Sequence, residues 1–191
     1  MKIMTRIIFT LSVMILACIG AEARKVKGSV KCGSEPLEGV IVTDGRNFTL
    51  TQKNGKFVFD ISDDAEFVYI TTPAGYVADW SSGVPAFYQP ADGRKKFDFD
   101  LQKTAGGFDY NIIAMSDPQF YSLEQFAKFA GKPLEDMTAT AKSLSGVTVG
   151  LTLGDIGWDE SARLDDYKES IVRTGVPFYP VVGNHDNNAW C

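Results

Sequence analysis

The sequence predicts a mixed architecture, a small all-β sandwich followed by an α/β unit built on a parallel sheet. Three observations carry this. From Val26 to about Leu101, short β-type runs are broken by glycine, asparagine and aspartate, with no helical period. After Lys103-Thr104-Ala105-Gly106-Gly107 the rhythm changes to apolar runs alternating with helix-length segments. Each of those later apolar runs leads straight into a polar cluster.

The chain has 191 residues and is 45% hydrophobic, enough to bury a core and too apolar for a disordered protein. Residues 1–23 stand apart from this core. Lys2 and Arg6 precede the apolar run Ile7 to Ile19, and the small-residue pattern Ala21-Glu22-Ala23 follows, which reads as a cleaved export signal. The uncharged stretch is shorter than the roughly 20 residues that a membrane-spanning helix needs. Ile15-Leu16-Ala17-Cys18 offers an alternative, a lipoprotein signal lipidated at Cys18. The expectation is an exported protein, periplasmic or secreted, that meets a membrane only if Cys18 is lipidated. Loss of Lys2, Arg6 and Glu22 leaves a net charge of about -6, with no basic footprint for nucleic acid. Beyond the leader only Cys32 and Cys191 remain, which neither demand a disulfide nor form a disulfide-dense scaffold.

In the first unit Val26 to Val30 alternates and runs into the turn-rich Gly33-Ser34-Glu35-Pro36. Val40 to Thr43, Phe48 to Thr51 and Phe57 to Phe59 follow, separated by Asp44-Gly45 and Asn54-Gly55, which supply the positive φ of tight turns. Phe67 to Ile70 and the strictly alternating Phe97 to Leu101 complete the set. The order Gly28-Ser29-Val30, Pro36 to Gly45, Thr51 to Phe59 and Pro73-Ala74-Gly75-Tyr76 resembles the carboxypeptidase regulatory-like domain, a transthyretin-like sandwich. That resemblance covers residues 25 to about 103 and implies turn and core roles for these residues, with no chemistry. The domain bounds expected are 24–103 for the sandwich, 104–108 for a linker and 109–191 for the second unit.

In that second unit the expected strands are Tyr110 to Met115, Val147 to Leu153 and Phe178 to Val182, apolar enough to be covered on both faces. Helices are expected over Leu123 to Leu144, divided near Gly131 because of Pro133, and over Ser161 to Arg173. The strands end in Ser116-Asp117-Pro118-Gln119, Gly154-Asp155 and Gly183-Asn184-His185-Asp186. In an open parallel sheet these ends converge on the ligand crevice. The intervals from 117 to 155 and from 155 to 184 approximate the strand-helix-strand length of about 30 residues or more. Taken singly, each cluster is accounted for by a turn or a helix cap. Taken together, three oxygen-rich loops and the one histidine of the chain are not.

Order, spacing and strand context over residues 109–186 resemble the calcineurin-like metallophosphoesterases. The resemblance implies the first half of an α/β metallophosphoesterase fold and two divalent metal ions. Asp117 would bind the first metal, Asp155 would bridge both, and Asn184 would give an amide oxygen to the second. His185 would protonate the leaving oxygen, with Asp186 orienting its imidazole. Gln119 stands where the family usually carries histidine, and its amide oxygen tilts the site toward Mn or Fe and away from Zn. Two metals in such a site activate a bridging hydroxide for attack on a phosphoester, and imidazole titrates near neutral pH, as an acid catalyst should. The substrate class would be a phosphorylated small molecule or a phosphoprotein.

The family's two later histidine motifs have no counterpart here, since His185 is the sole histidine. The second unit is therefore expected to be C-terminally truncated, with one sheet face uncovered, and inactive as a phosphoesterase in these 191 residues. The competing expectation is a non-catalytic exported binding module, whose sandwich binds a glycan or protein and whose phosphoesterase half is a remnant. Trp158, Asp159 and Trp190 lie near the motifs, and sequence alone leaves them between pocket and core.

Overall fold

The structure is a computed structural model that describes residues 24–104 and 109–186. The leader with Cys18, most of the linker, Trp190 and Cys191 lie outside the described residues, among which Cys32 is a free thiol. The chain is a β-sandwich followed by a partial α/β fold. Among the described residues no helix is long and apolar enough to cross a membrane.

The sandwich has nine strands: β1 Arg24–Cys32, β2 Glu35–Pro36, β3 Ile41–Thr43, β4 Phe48–Leu50, β5 Lys56–Ile61, β6 Phe67–Ile70, β7 Tyr76–Ala78, β8 Tyr88–Pro90 and β9 Lys96–Lys103. One sheet runs β2-β1-β9-β7 with β5 also on β1, and the other runs β4-β3-β6-β8. Strict alternation makes β5 and β9 bury every second side chain, because successive residues of a strand face opposite sides. Val26, Val30, Phe57, Phe59, Ile61, Phe97 and Phe99 thus meet Val42, Val68 and Ile70 from the facing sheet in one core. Each such buried side chain contributes about 1.5–3 kcal/mol relative to exposure. Gly28 is required between two of them, since a Cβ there would lie 1.6 Å from the Phe97 carbonyl oxygen and 2.7 Å from Phe57 Cζ.

The second unit holds β10 Tyr110–Met115, β11 Val147–Leu153 and β12 Phe178–Val181, paired in parallel in that order. Helices α1 Leu123–Ala130 and α2 Lys132–Ser143 connect the first two strands. Helix α3 Ala162–Ile171, continued by a 3-10 turn Val172–Thr174, connects the last two. The break falls at Gly131, with Pro133 tolerated in the first turn of α2, where its missing N–H has no helical partner to lose.

All three helices cover one face of this sheet. Ile113, Met115, Phe178 and Gly150 point into that core with Phe120, Phe129, Leu134, Tyr167 and Ile171. The register places Tyr110, Ile112, Leu153 and Val181 on the other face, 46–61% exposed. Coverage by helices on both faces, expected from the apolar runs, is therefore corrected for the described residues: on the second face Tyr179 meets the sandwich, and the uncovered surface expected there is seen at Ile112, Leu153 and Val181. Apolar composition signals a strand that can be buried and does not say which elements supply the cover.

The two units touch along one side. Phe87 of the sandwich packs on Tyr179 with ring centroids 5.9 Å apart. Gly83 lies so close to α3 that a Cβ would stand 2.2 Å from the Lys168 carbonyl oxygen.

Candidate functional site

The three polar clusters converge at the carboxyl ends of β10, β11 and β12, and backbone bonds lace them together. Gln119 N–H donates to the Asp155 carbonyl at 2.9 Å and Phe120 N–H to that of Ile156 at 2.9 Å, extending the parallel pairing past the strand ends. Phe120 anchors the first loop from below. It is 1% exposed and packs on Phe129 and Phe126, with centroids 4.8 and 5.5 Å away. Ser122 then caps α1, its hydroxyl accepting from Gln125 N–H.

The second and third loops meet at closer range. His185 N–H donates to Asp155 Oδ1 at 3.0 Å. A Cβ on Gly183 would lie 2.1 Å from Asp155 Oδ1 and 2.2 Å from Asp155 N, so only glycine lets the two backbones approach this closely. Beneath them Tyr167 and Thr152 join hydroxyls at 2.6 Å, and burial pushes the Tyr167 phenol up to about 12 despite the opposing Thr152 bond, so it is neutral at any ordinary pH.

Four non-glycine residues among those described have φ in the left-handed region, and all four belong to this cluster: Asp117 at 48°, Gln119 at 49°, Asp155 at 48° and Asp159 at 52°. Each such residue costs about 1 kcal/mol or more, and strain of this kind concentrates where function requires a particular direction of side chain. Turns and caps place some aspartates in this region, but a glutamine has no such local preference.

The imidazole of His185 is held on two sides. Its ring stacks on Trp158 with centroids 3.9 Å apart and planes 13° from parallel, and Nδ1 lies 3.1 Å from Asp159 Oδ1. The backbone repeats the link, Asp159 N–H donating to the His185 carbonyl at 3.0 Å. The expectation that Asp186 orients the imidazole is corrected. Its carboxylate accepts from three backbone N–H groups instead, Ile156 and Gly157 on Oδ1 at 2.6 and 2.9 Å and Gly183 on Oδ2 at 2.8 Å. Asp186 clasps the second loop to the third, and Asp159 supports the histidine. Sequence reasoning left Asp159 and Trp158 undecided, and their separation from His185 along the chain carried no signal of the contact.

Asp117, Gln119, Asp155 and Asn184 lie on the converging loops and offer carboxylate and amide oxygens, the right kind of donor for hard cations. In number they fall short. Among the described residues no three of His, Cys, Asp and Glu stand close enough to hold a metal, and one oxygen of Asp155 is engaged by the His185 N–H. Gln119, Tyr121 and Trp158 line a cleft of about 470 Å³ beside this cluster.

Residues 24–104 match the family model described as MetallophosN, the N terminal of Calcineurin-like phosphoesterase. The match falls on the sandwich and not on the loops just described. No match is found among curated proteins.

Proposed function

We propose that residues 109–186 are the first half of the catalytic domain of a metal-dependent phosphoester hydrolase of the calcineurin-like family, incomplete as a catalyst in these 191 residues. Support comes from two separate parts of the chain. The sandwich matches a domain described as the N-terminal part of such phosphoesterases, and the left-handed cluster Asp117, Gln119 and Asp155 stands where the sheet directs ligands. The strain is the observation that carries the reading. Within it Asp117, Gln119, Asp155 and Asn184 are the metal-ligand set, Mn or Fe being preferred to Zn because the donors are oxygens. His185 is the proton donor to a leaving oxygen, positioned by Trp158 and Asp159, and Asp186 is structural. The substrate is a phosphorylated small molecule or phosphoprotein. The resemblance of the sandwich to carboxypeptidase regulatory-like domains, and export by residues 1–23 with lipidation at Cys18 as the alternative route, rest on sequence motifs.

Manganese binding tests the site without relying on turnover. Titration calorimetry of the 191-residue protein with Mn²⁺ is expected to show weak, millimolar-range binding that Asp117→Asn and Asp155→Asn each remove. Binding that survives both substitutions would overturn the assignment of these ligands. Hydrolysis of p-nitrophenyl phosphate or its bis-ester with Mn²⁺ present is expected to be absent, and turnover above background would overturn the incompleteness alone.

A further inference from the structure

A cavity of about 570 Å³ lies between the two units, at the amino ends of β10, β11 and β12 and so at the opposite edge of the sheet from the loop cluster. The sandwich contributes Thr72, Tyr76, Trp80 and Thr104 to its wall, and the second unit contributes Tyr110 and Tyr179. Its volume is in the usual range for small-molecule sites, and clefts between domains are a favoured place for them. The contacts of Phe87 with Tyr179 and of Gly83 with α3 hold the two walls together.

The lining has a definite chemistry. Four of the lining side chains are aromatic, and none of the described lining residues carries a charge. The polar groups are uncharged; the Thr148 hydroxyl accepts from Asn111 Nδ2 at 3.4 Å, and several others are unengaged. Thr104 Oγ1 is buried without a hydrogen-bond partner among the described residues, a state that costs about 1–3 kcal/mol unless a ligand or water relieves it. The half-buried Trp80 indole N–H and Tyr179 hydroxyl make no hydrogen bond to described residues, although such groups usually find a partner when withdrawn from water. Burial raises the Tyr179 phenol above its ordinary value, so it stays a protonated donor. Tyr110 is 46% exposed, so the cavity reaches solvent.

A matching ligand must offer apolar ring faces to aromatic side chains and hydroxyl groups to uncharged donors and acceptors, and must carry no charge that the wall would leave unpaired. We propose that this cavity binds a short neutral oligosaccharide. Sugar rings meet all three requirements, their C–H faces stacking on Trp80 and the tyrosines while their hydroxyls engage Thr104 and the tyrosine hydroxyls. The site is independent of the metal-ligand loops, and its failure would leave the phosphoesterase assignment untouched.

Titration calorimetry of the 191-residue protein against maltotriose, cellotriose, mannotriose and xylotriose tests this. At least one trimer is expected to bind saturably at millimolar concentration or below. Trp80→Ala should weaken that binding about tenfold or more, and Trp80→Phe and Thr104→Val about threefold or more. Phe48→Ala, on the outer face of the sandwich, should leave it unchanged. Thermal melting identifies any variant that has lost its fold, and if Trp80→Ala is one of them the Phe and Val variants decide. The proposal is overturned if no neutral trimer binds, if folded Trp80 and Thr104 variants bind as wild type does, or if a galacturonate trimer binds as tightly as the best neutral one.

Discussion

The sandwich closes its core between two sheets, whereas the three-stranded unit buries one face under helices and leaves the other with Ile112 and Leu153 more than half exposed. The backbone differs in the same direction. The sandwich places its positive φ angles at glycines such as Gly45 and Gly55, where they are cheap, and the second unit has, besides Gly146, Gly154 and Gly175, four at Asp117, Gln119, Asp155 and Asp159, where they are costly. Its Asp186 carboxylate spends both oxygens on holding two loops together. One unit is arranged for stability, and the other accepts strain to direct donors into a crevice.

This contrast can be broken most forcefully in the sandwich core. Phe97→Ala removes a fully buried ring at the centre of a two-sided core, and urea unfolding is expected to show a loss of about 3–5 kcal/mol in the transition of the sandwich. Smaller, and confined to the second unit, is the effect of Asp186→Ala, which strips the acceptor from three backbone N–H groups. A loss of about 2–3 kcal/mol is expected, with Asp186→Asn intermediate because one amide oxygen can still accept from Ile156 and Gly157. Hydrogen exchange at Ile156, Gly157 and Gly183 separates the three proteins, and equal protection in all of them would refute the clasp. Least affected should be Ile112→Thr. With Ile112 61% exposed the change is expected to stay within about 0.5 kcal/mol, and a loss comparable to that at Phe97 would show that this face is covered in solution.

Much of this was legible in the chain. Alternation revealed β1 and β9, and the apolar runs located β10, β11 and β12 to within a residue, since a long periodic run leaves few ways to bury its side chains. The two-residue and three-residue strands β2, β7 and β8 were not legible, because they carry no period and exist only through their partners β1, β9 and β6. That Asp117, Gln119, Asp155 and Asn184 stand together at strand ends was legible because such ends converge in a parallel sheet, whereas their reading as metal ligands came from the resemblance to calcineurin-like metallophosphoesterases and not from geometry. The roles of the two aspartates near His185 were not. Adjacency in sequence suggested Asp186 as its support, while the folded loops turn that carboxylate onto backbone N–H groups and bring Asp159 to the imidazole from 26 residues away.

By itself, then, the sequence determined which segments are strands, that two different folding rhythms share one chain, and which side chains stand at the strand ends, because each follows from local period and residue type. Tertiary structure alone decided which face of the second sheet is covered, which aspartate holds the histidine, and that an uncharged aromatic cavity forms between the units. Those outcomes depend on distances between residues far apart in the chain, and no local pattern encodes such a distance.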